Sequence, residues 1–220
     1  MKHTVSGEIA QSVRLELNDG DSLWASKGSI MAHSLGVQWS LRVPGGLAAG
    51  ARRSLSGEGI SLTHIECNRT DQYVILTANQ PGHIATWDLA DGPLVTTRGS
   101  FLAAWGENVD IDVTIARRAG AAFFGGAGLF LQKISGVGTV LVHASGDFYD
   151  EQLKDGEELI TSTGNLAAFD GSIDYDIQRV AGLRRMLFGG EGLFMTRLRG
   201  PGRVMLQTLK RVHGPERRRN

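Results

Sequence analysis

One cysteine, five prolines, no long apolar run and no net charge mark this 220-residue chain. The single thiol, Cys67, excludes an intramolecular disulfide and a multi-thiolate zinc site, which suits a reducing compartment. Neither is needed, because a chain of this length buries roughly 70–75% of its unfolded surface. The uncharged run that starts at Ala119 stops at Lys133, too short and too glycine-rich to span a bilayer. The first twenty residues hold no apolar core of a secretory signal, so the sequence reads as cytoplasmic. Basic and acidic residues balance at 23 each. The segment from Lys210 onward holds Lys210, Arg211, Arg217, Arg218 and Arg219 against Glu216 alone, which leaves the preceding residues net negative. That sign is ill suited to tracking a phosphate backbone. Sustained helical periodicity is missing too, with single turns the most that Glu151-Gln152-Leu153 and Gly182 to Met186 offer.

Glycine is what the chain has in excess, with 30 residues, and all five prolines touch one. Such neighbours punctuate turns, so the chain reads as many short segments between tight turns. Alternation supplies the segments. Val13, Leu15 and Leu17 alternate with polar residues, as do Val37, Trp39, Leu41 and Val43, then Val109, Ile111, Val113 and Ile115, then Ile173, Tyr175 and Ile177. This is the period of half-buried strands.

The segments repeat. Asp-Gly, Leu, Gly, apolar, Ala occurs as Asp19-Gly20 with Leu23, Gly28 and Ala32, as Asp91-Gly92 with Leu94, Gly99 and Ala103, and as Asp155-Gly156 with Leu159, Gly164 and Ala168. A glycine-framed hairpin follows: Phe123-Phe124-Gly125-Gly126-Ala127-Gly128-Leu129-Phe130 in one copy, Leu187-Phe188-Gly189-Gly190-Glu191-Gly192-Leu193-Phe194 in the next, and a fainter Ser56-Gly57-Glu58-Gly59 upstream. Tight turns are expected at Gly136-Val137-Gly138 and Gly200-Pro201-Gly202, followed by returning strands at 140–142 and 204–206, with 73–76 in the first copy. Gly59, Gly128, Gly192, Gly136, Gly138, Gly200 and Gly202 are read as turn or close-approach glycines. The fold expected is all-β, three tandem sandwich-like modules at 13–85, 86–150 and 151–212 with a pseudo-threefold relation, and a basic disordered tail at 213–220.

The threefold pattern, and above all Phe188-Gly189-Gly190-Glu191-Gly192-Leu193-Phe194 with Gly200-Pro201-Gly202, resembles the mitochondrial-biogenesis ("altered inheritance of mitochondria") family. The likeness covers about residues 10–210, and the first module departs from it, with Asn68-Arg69-Thr70-Asp71 where the glycine turn would stand. The resemblance implies three fused double-stranded β-helix-like units related in fold to the tryptophan RNA-binding attenuator protein, assembled as a trimer. It implies no catalytic residues.

Chemistry-bearing patterns are thin. No glycine run continues as Gly-x-Gly-x-x-Gly or as a phosphate loop, and these runs open strands where an anion site opens a helix. Asp110 and Asp112 recur 64 residues on as Asp174 and Asp176. On a strand each pair shares a face opposite its apolar set, which could serve a divalent metal or acid–base work, or be a charged surface meeting basic residues. The first module puts Ser40 and Arg42 near that place, which argues for the charged surface. His64, Glu66 and Cys67 form the single close cluster of metal-binding residue types, with Cys67 on the opposite face. No Gly-x-Ser-x-Gly elbow is present, and Trp24, Trp39, Trp87 and Trp105 lack the neighbouring Lys/Arg clusters of a nucleic-acid platform. The sequence therefore reads as a non-catalytic oligomeric scaffold or binding protein, without cofactor or metal. Its expected partners are its own copies, as a trimer, and an unidentified protein. The alternative is a ring-like RNA- or small-ligand-binding protein, by fold analogy alone. Nucleic acid is disfavoured by charge, and nothing in the sequence supports a membrane surface.

Overall fold

The computed structural model describes residues 1–44, 61–116, 129–179 and 194–211. The described residues form strands β1 (Lys2–Ser6), β2 (Ser12–Leu17), β3 (Ser22–Ala25), β4 (Ile30–His33), β5 (Val37–Arg42), β6 (Leu62–Cys67), β7 (Gln72–Thr77), β8 (Gly82–Asp88) and β9 (Leu94–Thr97). They continue as β10 (Phe101–Ala116), β11 (Leu129–Ser145), β12 (Phe148–Leu153), β13 (Glu158–Ser162), β14 (Leu166–Asp170), β15 (Asp174–Arg179), β16 (Phe194–Arg199) and β17 (Gly202–Gln207). The helical content of these residues is two 3-10 turns, at Leu89–Asp91 and Thr163–Asn165. The all-β expectation holds, and none of the helices is long and apolar enough to cross a membrane.

The alternating segments are strands with their apolar residues inward. In β2, Val13, Leu15 and Leu17 are buried while Arg14 and Glu16 face solvent. Two expectations are corrected. Glu151-Gln152-Leu153 is no helical turn but the end of β12, paired residue by residue with β17 from Phe148↔Gln207 to Leu153↔Gly202. Isolated helical turns cannot compete with a complete ladder that also buries Leu153. Gly136-Val137-Gly138 is no turn either; β11 runs through it. There the ladder to β10 shifts register between Glu107 and Asp110, and Gly106 lies opposite Gly138. A Cβ on Gly138 would stand 2.1 Å from the Trp105 carbonyl oxygen, and one on Gly106 2.2 Å from that of Val137. Both have positive φ, so the pair lets two long strands bend tightly against one another. Gly200-Pro201-Gly202 does connect β16 to β17 as a turn. Strand β1, which lies outside the expected modules, pairs with β2.

The described strands form three sheets. One has the order β1-β2-β7-β4, one the order β13-β16-β15, and the largest runs β12-β17-β14-β9-β11-β10-β3-β6-β5, with β8 added against β11. The modules are thus stitched together by shared ladders. β10 begins against β3, with Ala25↔Ala103 and Trp24↔Ala104. β9 lies against β14, with Thr96↔Ala168 and Val95↔Phe169. Hydroxyl groups seal both junctions: Ser26 Oγ donates to the Phe101 carbonyl, and Thr97 Oγ1 donates to that of Leu166 at 2.8 Å.

The described residues form three apolar clusters, the first and third shared between two sheets and the second within the large sheet. The first, built on Val13, Leu15, Leu23, Ile65 and Leu76, takes in Leu102 and Ala103 from β10. The second, around Leu94, Phe101, Ile111 and Val140, takes in Ala168 and Met205. The third, around Phe169, Ile173, Ile177 and Leu198, takes in Val95 and Leu131.

Candidate functional site

The recurring acidic strands come first. In β10 the buried Ile111 separates Asp110 and Asp112, both exposed, so the expected two-faced alternation is present. Asp112 lies directly across from Lys133, and Asp110 across from Ser135. In β15, Asp174 lies across from Arg199 and Asp176 across from Arg197. On its other side Arg197 is paired with Glu158 of β13, Nε donating at 3.0 Å to Oε2 and the terminal nitrogen to Oε1. That bond holds the Glu158 carboxyl below the usual carboxylate range and raises Arg197, with Asp176 and Asp174 adding to the latter.

Each acidic pair therefore faces a basic residue of its own chain, and the two pairs lie in different sheets. Among the described residues no cluster of three or more His, Cys, Asp or Glu is arranged to hold a metal. Opposite charges that face each other across exposed strands contribute little stability and mainly fix register. Changing Asp110, Asp112, Asp174 and Asp176 together to Asn is expected to leave a melting curve as indifferent to chelator as the parent's. A parent that loses stability with chelator, beside a variant that does not respond, would show that these carboxylates hold a metal.

His64 and Glu66 share a face of β6, with Nδ1 and Oε1 3.4 Å apart, while the Cys67 thiol is buried on the other face and lies 3.0 Å from the Arg69 carbonyl. His64 tilts against Trp24 at 4.5 Å, and its pKa is lowered by burial first and by Arg42 second. Glu66 is held by Arg42 at 2.9 Å. These residues brace the β5–β6 ladder and do not converge on one point.

Of the seven singled-out glycines, Gly59, Gly128 and Gly192 lie outside the described residues, as do Phe123, Phe124 and residues 212–220. Gly136, Gly138 and Gly202 have positive φ, and Gly200 is packed so closely that a Cβ would meet the Lys154 carbonyl oxygen at 2.4 Å. Gly136, Gly138 and Gly200 serve close backbone approach, and Gly202 leaves room for the Ile173 and Asp170 side chains.

The sequence missed a buried cation. Arg211 counts there within the basic segment that starts at Lys210, yet it is only 8% exposed. Its guanidinium donates to the Ser100 hydroxyl at 3.2 Å, to the His143 carbonyl at 3.1 Å and to His143 Nδ1 at 2.7 Å, and its backbone N–H donates to the Gly164 carbonyl at 3.0 Å. These four acceptors are all neutral. Burial pushes the Arg211 pKa down to about 10. Burial, and then the guanidinium beside it, push His143 down to about 4. Gly99 leaves room for the guanidinium, since a Cβ there would fall 2.6 Å from its nitrogen. Ser100 directly follows a repeat glycine, and a search for groups around those glycines is the signal that could have found the cluster. It ties the second module to the third and to the end of the described chain.

A different feature faces outward. Trp39 and Leu41 share the β5 face that begins with buried Val37, but they are 53% and 49% exposed on the outermost strand of the large sheet. The sequence expected them inside with Val37; the sheet ends there, so nothing described covers them.

Shared ladders that join successive segments into several sheets define an all-β, sandwich-like protein. The chain belongs to the mitochondrial biogenesis AIM24 family, whose profile matches residues 3–209. An uncharacterized protein of Streptococcus pyogenes serotype M6 is 30% identical over 206 residues, covering 90% of this chain and 81% of that one. The X-ray crystal structure of a Streptococcus pyogenes protein is similar as well, with a TM-score of 0.78 and 26% identity over 95% of this chain and 94% of that chain.

Proposed function

We propose that this chain is a non-catalytic scaffold or binding protein that works as an oligomer of its own copies, three in number. The observation that carries the reading is the pair Trp39 and Leu41, half open to water on the inward-type face of an edge strand. Large aromatic side chains left open at a sheet edge are costly to solvate and mark contact surfaces, and an edge strand invites a further partner. The family resemblance supplies the number three, and cyclic symmetry closes such an assembly. Light scattering on the purified protein is expected to give about three times 23.7 kDa. A stable monomer at micromolar concentration sinks the reading. Co-purification of stoichiometric RNA would favour the ring-like RNA-binding alternative instead.

A further inference from the structure

We propose that β4 and β13 are the two halves of a head-to-tail contact, in which β13 of one copy pairs antiparallel with β4 of the next, Thr161 opposite Ala32 and Ile160 opposite His33. The proposal rests on the oligomer reading above and concerns an edge other than β5.

The geometry comes from a junction that the chain builds twice. The repeat glycines Gly28, Gly99 and Gly164 set offsets of 71 (99 − 28) and 65 (164 − 99). The pair Ala25↔Ala103 of the first junction shifts by these offsets onto Thr96↔Ala168, and Trp24↔Ala104 onto Val95↔Phe169; both are pairs that the second junction makes. Shifted once more, the strand that follows Asp-Gly becomes β13, and its partner, counted back to the first module, becomes β4. The register that results is Thr161 (96 + 65) with Ala32 (103 − 71), and Ile160 (95 + 65) with His33 (104 − 71). Within the described chain this third junction is unmade. β4 ends the sheet β1-β2-β7-β4, and β13 ends the sheet β13-β16-β15.

Three observations say that both edges are prepared for it. The first is a stranded hydroxyl. Ser26 Oγ bonds the Phe101 carbonyl and Thr97 Oγ1 the Leu166 carbonyl, each in the following module. Their counterpart Ser162 has a buried Oγ with no hydrogen-bond partner among the described residues. The same shift assigns it the Ile30 carbonyl of the next copy. A buried hydroxyl without a partner is costly, so a contact that satisfies it is favoured.

The second is a missing contribution to a core. The first cluster receives Leu102 and the second receives Ala168, each from the module that follows. The third cluster contains no described residue of β4. Met31, the counterpart of Leu102 (102 − 71), is 65% exposed instead. The third observation is on the facing strand, where Ile160 is 58% exposed although its counterpart Val95 is buried. At the two completed junctions the paired residues are buried, Trp24 partly so; at the unmade one Ala32, His33 and Ile160 are exposed and Thr161 is buried. Each copy carries one of each, so the contact is heterologous, and three copies close it into a ring in which neither β4 nor β13 is left as an edge.

The test uses two full-length variants, His33→Cys and Ile160→Cys, both at exposed positions, with Cys67 buried. Mixed under mild oxidation, they are expected to give a disulfide-linked species of twice the single-chain mass of 23.7 kDa, which neither gives alone. In parallel, Ile160→Glu is expected to reduce the parent assembly to the single-chain mass while the chain stays folded, with the parent's circular dichroism spectrum and a cooperative melt. Linkage only when both cysteines are in one chain would mean closure within a copy and overturn the proposal. So would an oligomeric parent that yields no mixed disulfide and keeps its mass as Ile160→Glu, an outcome that leaves the oligomer reading standing. A monomeric parent defeats that reading itself, and this contact with it.

Discussion

Replacing Arg211 by alanine lowers the stability of the folded protein by about 3 kcal/mol, or roughly 6–12 °C in melting temperature for a chain of this size. The side chain makes charge-assisted bonds to Ser100 and His143, and its removal takes a donor from each of these buried groups, Ser100 keeping only Thr97 Oγ1, and leaves a void beside Gly99. Its own burial works the other way, as the lowered pKa of the guanidinium records, so the net effect is smaller than the sum of the bonds. Lys210→Ala, one residue earlier and only part-buried, is the control, with an expected change under about 0.5 kcal/mol. Thermal melts of the three proteins decide the matter. If Arg211→Ala melts with the parent, the buried cation contributes nothing.

The second large effect concerns acid. His143 is 1% exposed, and burial, followed by the neighbouring Arg211 charge, lowers its pKa to about 4 from the ordinary histidine value of 6.5. The unfolded chain therefore takes up a proton at a pH where the folded chain does not. The stability that follows is fully present above pH 6.5 and is lost as pH falls toward 4. The slope approaches about 1.4 kcal/mol per pH unit, and the loss totals roughly 3 kcal/mol across that window. Carboxylates titrate in the lower part of the same window, so the readout is a difference. His143→Gln retains a polar side chain beside Arg211 and carries no titrating ring. Its stability is expected to fall less steeply than the parent's between pH 6.5 and 4.5, by denaturant titration at each pH. Parallel profiles would show that His143 does not supply the acid sensitivity.

Much of the architecture was legible because alternation and glycine placement are local signals. Val13, Leu15 and Leu17 announced β2, and Asp110-Ile111-Asp112 announced a two-faced strand, since a period of two has a single backbone solution. The repeat of Asp-Gly, Leu and Gly marked the module junctions without revealing that strands pair across them, because pairing partners more than 60 residues apart leave no local trace. Gly136 and Gly138 were read as a turn for a related reason. Glycine reports an unusual φ or a close approach, and only the facing Gly106 distinguishes the two. Arg211 was hidden by its neighbours: Lys210 before it and the arginines from 217 made it look like part of a solvated basic run. The exposed edge at Trp39 and Leu41 was illegible since alternation tells which face a residue is on and never where the sheet stops.

The hairpin of β10 and β11 spans the chain's middle, and its ladders run to β3 on one side and to β8 and β9 on the other. A break within either of these two strands would therefore disturb ladders belonging to the first module and to the second at once. The segment that recurs in the sequence is a unit of inheritance, and the hydrogen-bonded segment is a unit of cooperativity. In this chain the two are out of step, so that each repeat completes its neighbour's sheet before its own.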